Sequence, residues 1–147
     1  MFLIGTRNSA TQTLLTGSSV NFGEVYRRYD RKGTCGLRTF DFNGTSVALQ
    51  HSGIYHVTAT LTFTAPAAGV VIFQLTENGV AIPNAIASES VTTATTEVNT
   101  TVIDFYVLVD KDVVLNTPTT IIENIGILNT GVTSTVTNVV VNIEKVV

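Results

Sequence analysis

The sequence has little of what stabilises or activates many small proteins. It contains no tryptophan, one methionine, three prolines and one cysteine, and only 13% of its 147 residues are charged. Because Cys35 is the single cysteine, no disulfide can form within the chain. We interpret Cys35 as a small buried apolar residue; the alternative is an exposed, mildly reactive thiol beside the neighbouring basic residues.

Long apolar runs and targeting signals are also missing. No stretch approaches the length of a membrane span. The apolar run Phe2–Ile4 is short and no basic residue precedes it, so we expect no signal peptide. The sequence therefore predicts a soluble chain without a membrane partner.

Catalytic and metal-binding motifs are absent too. There is no Gly-x-Ser-x-Gly, no Cys-x-x-Cys and no glycine-rich phosphate loop. The odd spacing of His51 and His56 sends them to opposite faces of an extended strand, which disfavours a metal pair. Asp110–Asp112 is typical of a turn rather than of a calcium loop. We expect no enzyme activity, no cofactor and no metal.

What the sequence has in abundance is β-branched residues, with 25 Thr, 21 Val and 11 Ile. These residues favour strands. The clearest strand is Ile54–Ala65, where apolar and polar residues alternate without a break. Its predicted core face consists of Tyr55, Val57, Ala59, Leu61 and Phe63.

Turn residues divide the rest of the chain into further strands. Asn78-Gly79 is typical of a tight hairpin turn, and Pro83 and Pro118 predict breaks, the former between Val80–Ile82 and Ala85–Val91. About nine or ten short strands with no useful helix indicate an all-β sandwich or barrel. Residues 1–147 are predicted to form one domain.

Two strands lack a polar face. Val102–Val109 is apolar on both sides except at Asp104, and Val136–Ile143 is similar. Because a sandwich strand in a monomer should have a polar outer face, we expect a second copy of the chain to cover these strands. The alternative is a covering loop of the same chain. The predicted interface residues are Val102, Phe105, Tyr106, Val107, Leu108, Val136 and Val140.

Asp104 has two interpretations on this surface. It either pairs with a partner buried at the subunit interface or lies at the edge of an apolar face.

Basic residues are concentrated in one short segment of a chain whose net charge is −3. This segment predicts contact with an acidic partner, and the alternative is a solvated hairpin. Nucleic acid is not expected as a partner, since one basic patch on an acidic chain falls short of the usual footprint. The predicted contact residues are Arg27, Arg28, Tyr29, Arg31 and Lys32.

Ser52–Val57, read as Ser-Gly-Ile-Tyr-His-Val, resembles the Gly-x-Tyr-x-Val entry of C1q/TNF-like jelly rolls. The likeness continues through Ile72–Leu75 and Asn78–Asn84, and Val136–Val147 is similar to the closing strand of that fold. The whole chain also resembles small structural proteins of bacteriophages, with Asn21–Tyr29 as a shared segment.

The resemblance implies a C1q/TNF-type jelly-roll homotrimer that acts in the virion as a capsid decoration or head-fibre protein. Its partners would be itself and other capsid or virion proteins, with residues 1–20 as an N-terminal attachment strand. The alternative function is a carbohydrate- or receptor-binding adhesion module of a phage tail or cell surface, with Tyr and Asn side chains on loops as its contacts. C1q-like domains often follow a collagen-like stalk, whereas this sequence has no Gly-x-y repeat.

Overall fold

The computed structural model describes residues 1–30, 38–110 and 123–147. Within these residues the chain forms eleven strands, which confirms the all-β prediction. Their bounds are β1 Phe2–Asn8, β2 Gln12–Leu14, β3 Glu24–Tyr29, β4 Phe40–Phe42, β5 Ser46–Leu49, β6 Gly53–Thr64, β7 Gly69–Glu77, β8 Val80–Val91, β9 Asn99–Val109, β10 Glu123–Asn129 and β11 Ser134–Lys145.

The strands pair in antiparallel fashion into two sheets. The first sheet has six strands in the order β3-β1-β11-β6-β9, with β2 also paired to β11. The second has five strands in the order β4-β5-β10-β7-β8. Most neighbours within a sheet are distant in sequence, which is the arrangement of a two-sheet jelly roll. No helix among the described residues is long and apolar enough to cross a membrane.

The core lies between the two sheets. The predicted face of β6, from Tyr55 to Phe63, is completely buried. Phe63 meets Phe73 of the other sheet edge-to-face, with ring centroids 5.3 Å apart, and Tyr55 meets Phe40 in the same way at 5.9 Å. The alternation of β6 therefore predicted its buried face correctly, because a strand of period 2 turns every second side chain inward.

The first strand, β1, is not predicted by the residue pattern, although the resemblance implies a strand within residues 1–20. β1 is hydrogen-bonded on both sides, to β3 and to β11, and Ile4 is buried. Its apolar run is too short to show a pattern, so only the tertiary pairing reveals it. The N-terminal strand is part of the sheet, and an attachment role for residues 1–20 stays a prediction.

The break predicted at Pro83 is not observed, because β8 is one strand from Val80 to Val91. β8 lies at the edge of its sheet, where a missing backbone N–H is tolerated. The pairing of β7 with β8 shifts register between Gln74 and Thr76, and the extra β8 residues include Pro83 and Asn84, whose φ is +68°. The strand predicted at Val113–Asn116 lies outside the described residues, as does Cys35.

Candidate assembly surface

The outer face of the six-stranded sheet carries an exposed apolar patch. On β9 the outward residues Val102, Tyr106 and Leu108 are 51%, 59% and 67% exposed. On the neighbouring strand β6, Ile54 pairs with Leu108 and is also exposed. We call these four residues the β9 patch. No described residue covers them, so the covering loop proposed as an alternative is not found in the described part of the chain.

Polar side chains adjoin the β9 patch in a fixed arrangement. His56 pairs with Tyr106 across the two strands, and their rings are stacked 4.6 Å apart at 14°. His56 Nε2 lies 2.5 Å from Asp104 Oδ1, a diagonal contact between neighbouring strands. Asp104 is therefore paired within its own chain while its side chain stays mostly exposed.

Two residues of the predicted interface are core residues instead. Val107 is 4% exposed and Val136 is fully buried. Val107 shares the inward face of β9 with Ile103, because alternate residues point to the same side. Phe105 belongs to this inward row as well and is half-buried against the core. The prediction for Val107 and Val136 is wrong.

A β-bulge explains the orientation of Val136. Val136 pairs with Phe63 while Asn138 pairs with Thr62, so Thr137 is an extra residue in β11. One inserted residue reverses the inward and outward positions. Val136 therefore shares the core side with Val139, although the two residues are an odd number of positions apart. Val140 faces outward as predicted and is half-buried beside Thr60.

The side chains of the predicted basic contact segment point to two different sides of the sheet. Arg27 and Tyr29 pair with Gly5 and Leu3 of β1, at positions that alternate with the buried Ile4, so both lie on the outer face of the six-stranded sheet. Both side chains are exposed.

Arg28 points the other way. Its guanidinium donates to the Phe40 carbonyl oxygen and pairs with the buried Asp30 carboxylate at 3.2 Å. Arg38 binds the same carboxylate at 3.3 Å. Arg28 therefore has a structural role. Arg31 and Lys32 lie outside the described residues.

Tyr26 completes this edge of the face and was not singled out as an assembly residue. Its ring lies over Gly5, and its hydroxyl donates to Asn142 Oδ1 at 2.8 Å. The Arg7 guanidinium lies 5.8 Å from the Tyr26 ring centroid and pairs with Glu24. Only the register of β3 on β1 brings these residues together, and no sequence pattern encodes that register.

The outer face is thus electrostatically asymmetric. Its β9 edge presents Asp104 within the apolar patch, and its β3–β1 edge presents Arg7 and Arg27. Arg7 is already paired with Glu24, whereas Arg27 has no ion-pair partner among the described residues. The two edges of one face carry charges of opposite sign.

A separate carboxylate pair lies at the end of β7 and the start of β10. A hydrogen bond to the Glu123 side chain, partial burial and the negative charges of Glu123 and Asp110 together raise the pKa of Glu77 to about 7. Asn78 Nδ2 donates to Glu123 at 2.9 Å. Across residues 1–30, 38–110 and 123–147, no three His, Cys, Asp or Glu side chains are grouped as metal ligands.

The fold is similar to solved C1q and TNF structures. The globular domain of zebrafish complement 1qA has a TM-score of 0.62 and 8% identity, with 100% of this chain and 98% of that chain covered. The Eiger TNF of S. frugiperda has a TM-score of 0.63 and 8% identity, over 100% and 94% of the two chains. Murine APRIL has a TM-score of 0.64 and 9% identity, over 97% and 98%.

Neither a protein-family model nor a curated protein matches the chain. At identities this low, the similarity establishes the fold alone. The predicted C1q/TNF-type jelly-roll fold is confirmed.

Proposed function

We propose that this protein is a virion structural protein, a capsid decoration or head-fibre protein, that assembles as a homotrimer through the outer face of its six-stranded sheet. The observation that carries the proposal is the exposed β9 patch. Burying one large apolar side chain stabilises a contact by about 1.5–3 kcal/mol. The burial of several such residues therefore offsets a substantial part of the free-energy cost of association.

The charge asymmetry of the face supports a ring in preference to a two-fold dimer. A dimer places the same patch on both subunits, which would bring Asp104 near its own symmetry mate. In a closed ring, the β9 edge of one subunit meets the β3–β1 edge of the next. Asp104 would then lie near Arg27 of the neighbouring subunit, and Tyr106 near its Tyr29.

This arrangement changes the proposed partner of the basic segment. Arg27 and Tyr29 would contact another copy of the chain rather than the particle. Contact with the particle is left to residues near the N-terminus, where Leu15 follows β2 and is exposed. The virion location itself is supported by the sequence resemblance to phage structural proteins around Asn21–Tyr29.

Two aspartate variants test the assembly surface. Leu108→Asp places a charge in the β9 patch and should reduce the mass measured by light scattering to that of one chain. Ile86→Asp is the matched control, since Ile86 is exposed on β8 of the other sheet and should leave the assembly intact. Equal masses for the two variants would contradict the proposed surface.

Co-purification with particles tests the location. A decoration protein should be present in proportion to the capsid protein, whereas a receptor-binding module of a tail should be present in a few copies per particle. Absence from purified particles would contradict the virion role while leaving the trimer untouched.

A further inference from the structure

We infer that a shallow pocket on the outer face of the five-stranded sheet binds a neutral saccharide. The pocket lies on the opposite side of the sandwich from the β9 patch, so this inference does not depend on the proposed trimer. Its volume is about 380 Å³. This volume lies at the lower end of the roughly 300–1,000 Å³ typical of small-ligand pockets, which suits a ligand the size of one sugar ring.

Gly126 forms the floor of this pocket and lies in the central strand of the sheet, β10. A glycine inside a strand weakens it and often indicates a bulge, a bend or the close approach of a ligand. β10 pairs with both neighbours without a bulge, and the φ angle of Gly126 is outside the left-handed region. The backbone conformation therefore does not require glycine.

The missing side chain instead leaves the floor open. A Cβ at residue 126 would lie 3.0 Å from Thr76 Oγ1 and 3.4 Å from the Thr45 carbonyl oxygen. Thr76 and Ser46 are the cross-strand partners of Gly126, so their side chains flank the gap on the same face of the sheet. A larger residue would fill the space between them.

The walls supply hydrogen-bonding groups that are not used elsewhere. Five of them have no partner among the described residues: the hydroxyls of Ser19, Ser46 and Thr76, the Nδ2 of Asn43 and the side-chain amide of Asn124. Hydroxyls both donate and accept, and amides offer one group of each kind. This mixture matches the hydroxyls of a sugar.

The position of one wall is fixed in advance of binding. Asn43 Oδ1 accepts the backbone N–H groups of Thr45 and Ser46, which holds the turn between β4 and β5. On the opposite wall, Asn78 accepts from the Asn124 N–H through Oδ1 at 2.8 Å. Preorganised polar groups reduce the ordering cost of binding.

The composition of the lining excludes other ligand classes. All nine residues around the pocket are Asn, Ser, Thr or Gly. With no cation in the lining, a phosphate or carboxylate ligand would have no charge partner. With no large apolar side chain, a lipid or aromatic ligand would bury little apolar surface. The hydroxyl and amide groups of this lining match a neutral polyhydroxylated ligand.

Saturation-transfer NMR with the full chain tests this site. The probes are the methyl glycosides of glucose, galactose, mannose and N-acetylglucosamine, with inorganic phosphate as the anionic comparison. We expect saturable binding of at least one glycoside, with a Kd on the order of 1 mM for so small a ligand in a shallow site.

Variants locate the binding. Thr76→Val removes one hydroxyl at nearly constant volume and should weaken binding about tenfold; Gly126→Ala fills the floor and should have a similar effect. Thr58→Val is the matched control, because Thr58 lies on the outer face of the other sheet, and it should bind as the unmodified chain does. Thr76→Val remains informative if Gly126→Ala fails to fold.

Three results would overturn the inference. They are binding of none of the glycosides, glycoside binding that Thr76→Val leaves unchanged, and binding of phosphate in preference to every glycoside.

Discussion

The imidazole of His56 and the carboxylate of Asp104 lie 2.5 Å apart on neighbouring strands, beside the exposed Tyr106 and Leu108. An exposed side-chain contact of this kind contributes little to the stability of a folded chain, about 0.2–1 kcal/mol even between two charged groups. Its position is more informative than its strength. The contact with His56 fixes the position of the Asp104 carboxylate within the β9 patch. In the proposed ring, charged residues of the neighbouring subunit would lie close to this carboxylate.

A charge exchange tests the ring arrangement. Asp104→Arg and Arg27→Asp should each weaken self-association at least tenfold, because each places like charges at the proposed contact. The double variant should recover most of the loss, since it restores opposite charges between subunits. The measurement is the dissociation constant from sedimentation equilibrium. A double variant that associates as weakly as the two single changes combined would contradict this pairing.

Neighbouring residues on β9 should respond differently to truncation. Val107→Ala creates a cavity in the core and should lower the free energy of unfolding by about 2 kcal/mol. Val102 is exposed in the single chain, so Val102→Ala should change the free energy of unfolding by at most about 0.5 kcal/mol. Both variants are unfolded in urea in a Leu108→Asp background, where the chain should not self-associate, so that the measurement reports folding alone. Equal losses for Val102 and Val107 would contradict the orientation of β9.

The raised pKa of Glu77 predicts a pH dependence of stability. With a folded-state pKa of about 7 against an ordinary 4.5, the folded chain binds more protons than the unfolded chain between these values, so stability falls as the pH rises through this window. Because Glu77 is only partly buried, solvent screens its interactions, and we expect a loss on the order of 1 kcal/mol.

Glu77→Gln should remove this decrease of stability with pH. Compared with the unmodified chain, the variant should be more stable at pH 8 and about equally stable at pH 4. Glu123→Gln removes the other carboxylate of the pair and should flatten the slope in the same way. Thermal unfolding across this pH range is the measurement. Parallel curves for Glu77→Gln and the unmodified chain would show that the carboxyl pair does not contribute.

The sequence predicted the parts of the fold that depend on local pattern. The alternation from Tyr55 to Phe63 identified a buried face, and the apolar outer positions of Val102, Tyr106 and Leu108 identified an exposed patch. Both follow from the period of 2 in a strand. Both faces of β9 are apolar, so the pattern does not show which face is turned to the core. For this reason Phe105 and Val107, which lie on the inward face, were predicted at the interface.

What depends on register and pairing could not be predicted. The bulge at Thr137 reversed the orientation of Val136, and nothing in the surrounding Val and Thr residues indicates an inserted position. The contact of His56 with Asp104 joins residues 48 positions apart, and it requires the register of β6 on β9. The pocket over Gly126 combines three neighbouring strands with the segment around Ser19, which meets β10 through the Ser19–Leu128 bridge and neighbouring backbone hydrogen bonds.

The most direct test of the proposed assembly is the mass of the unmodified chain in solution, measured by light scattering coupled to size-exclusion chromatography at micromolar concentration. The proposal predicts a single species with three times the 15.7 kDa mass of the chain. A species with the mass of one chain at that concentration would contradict it.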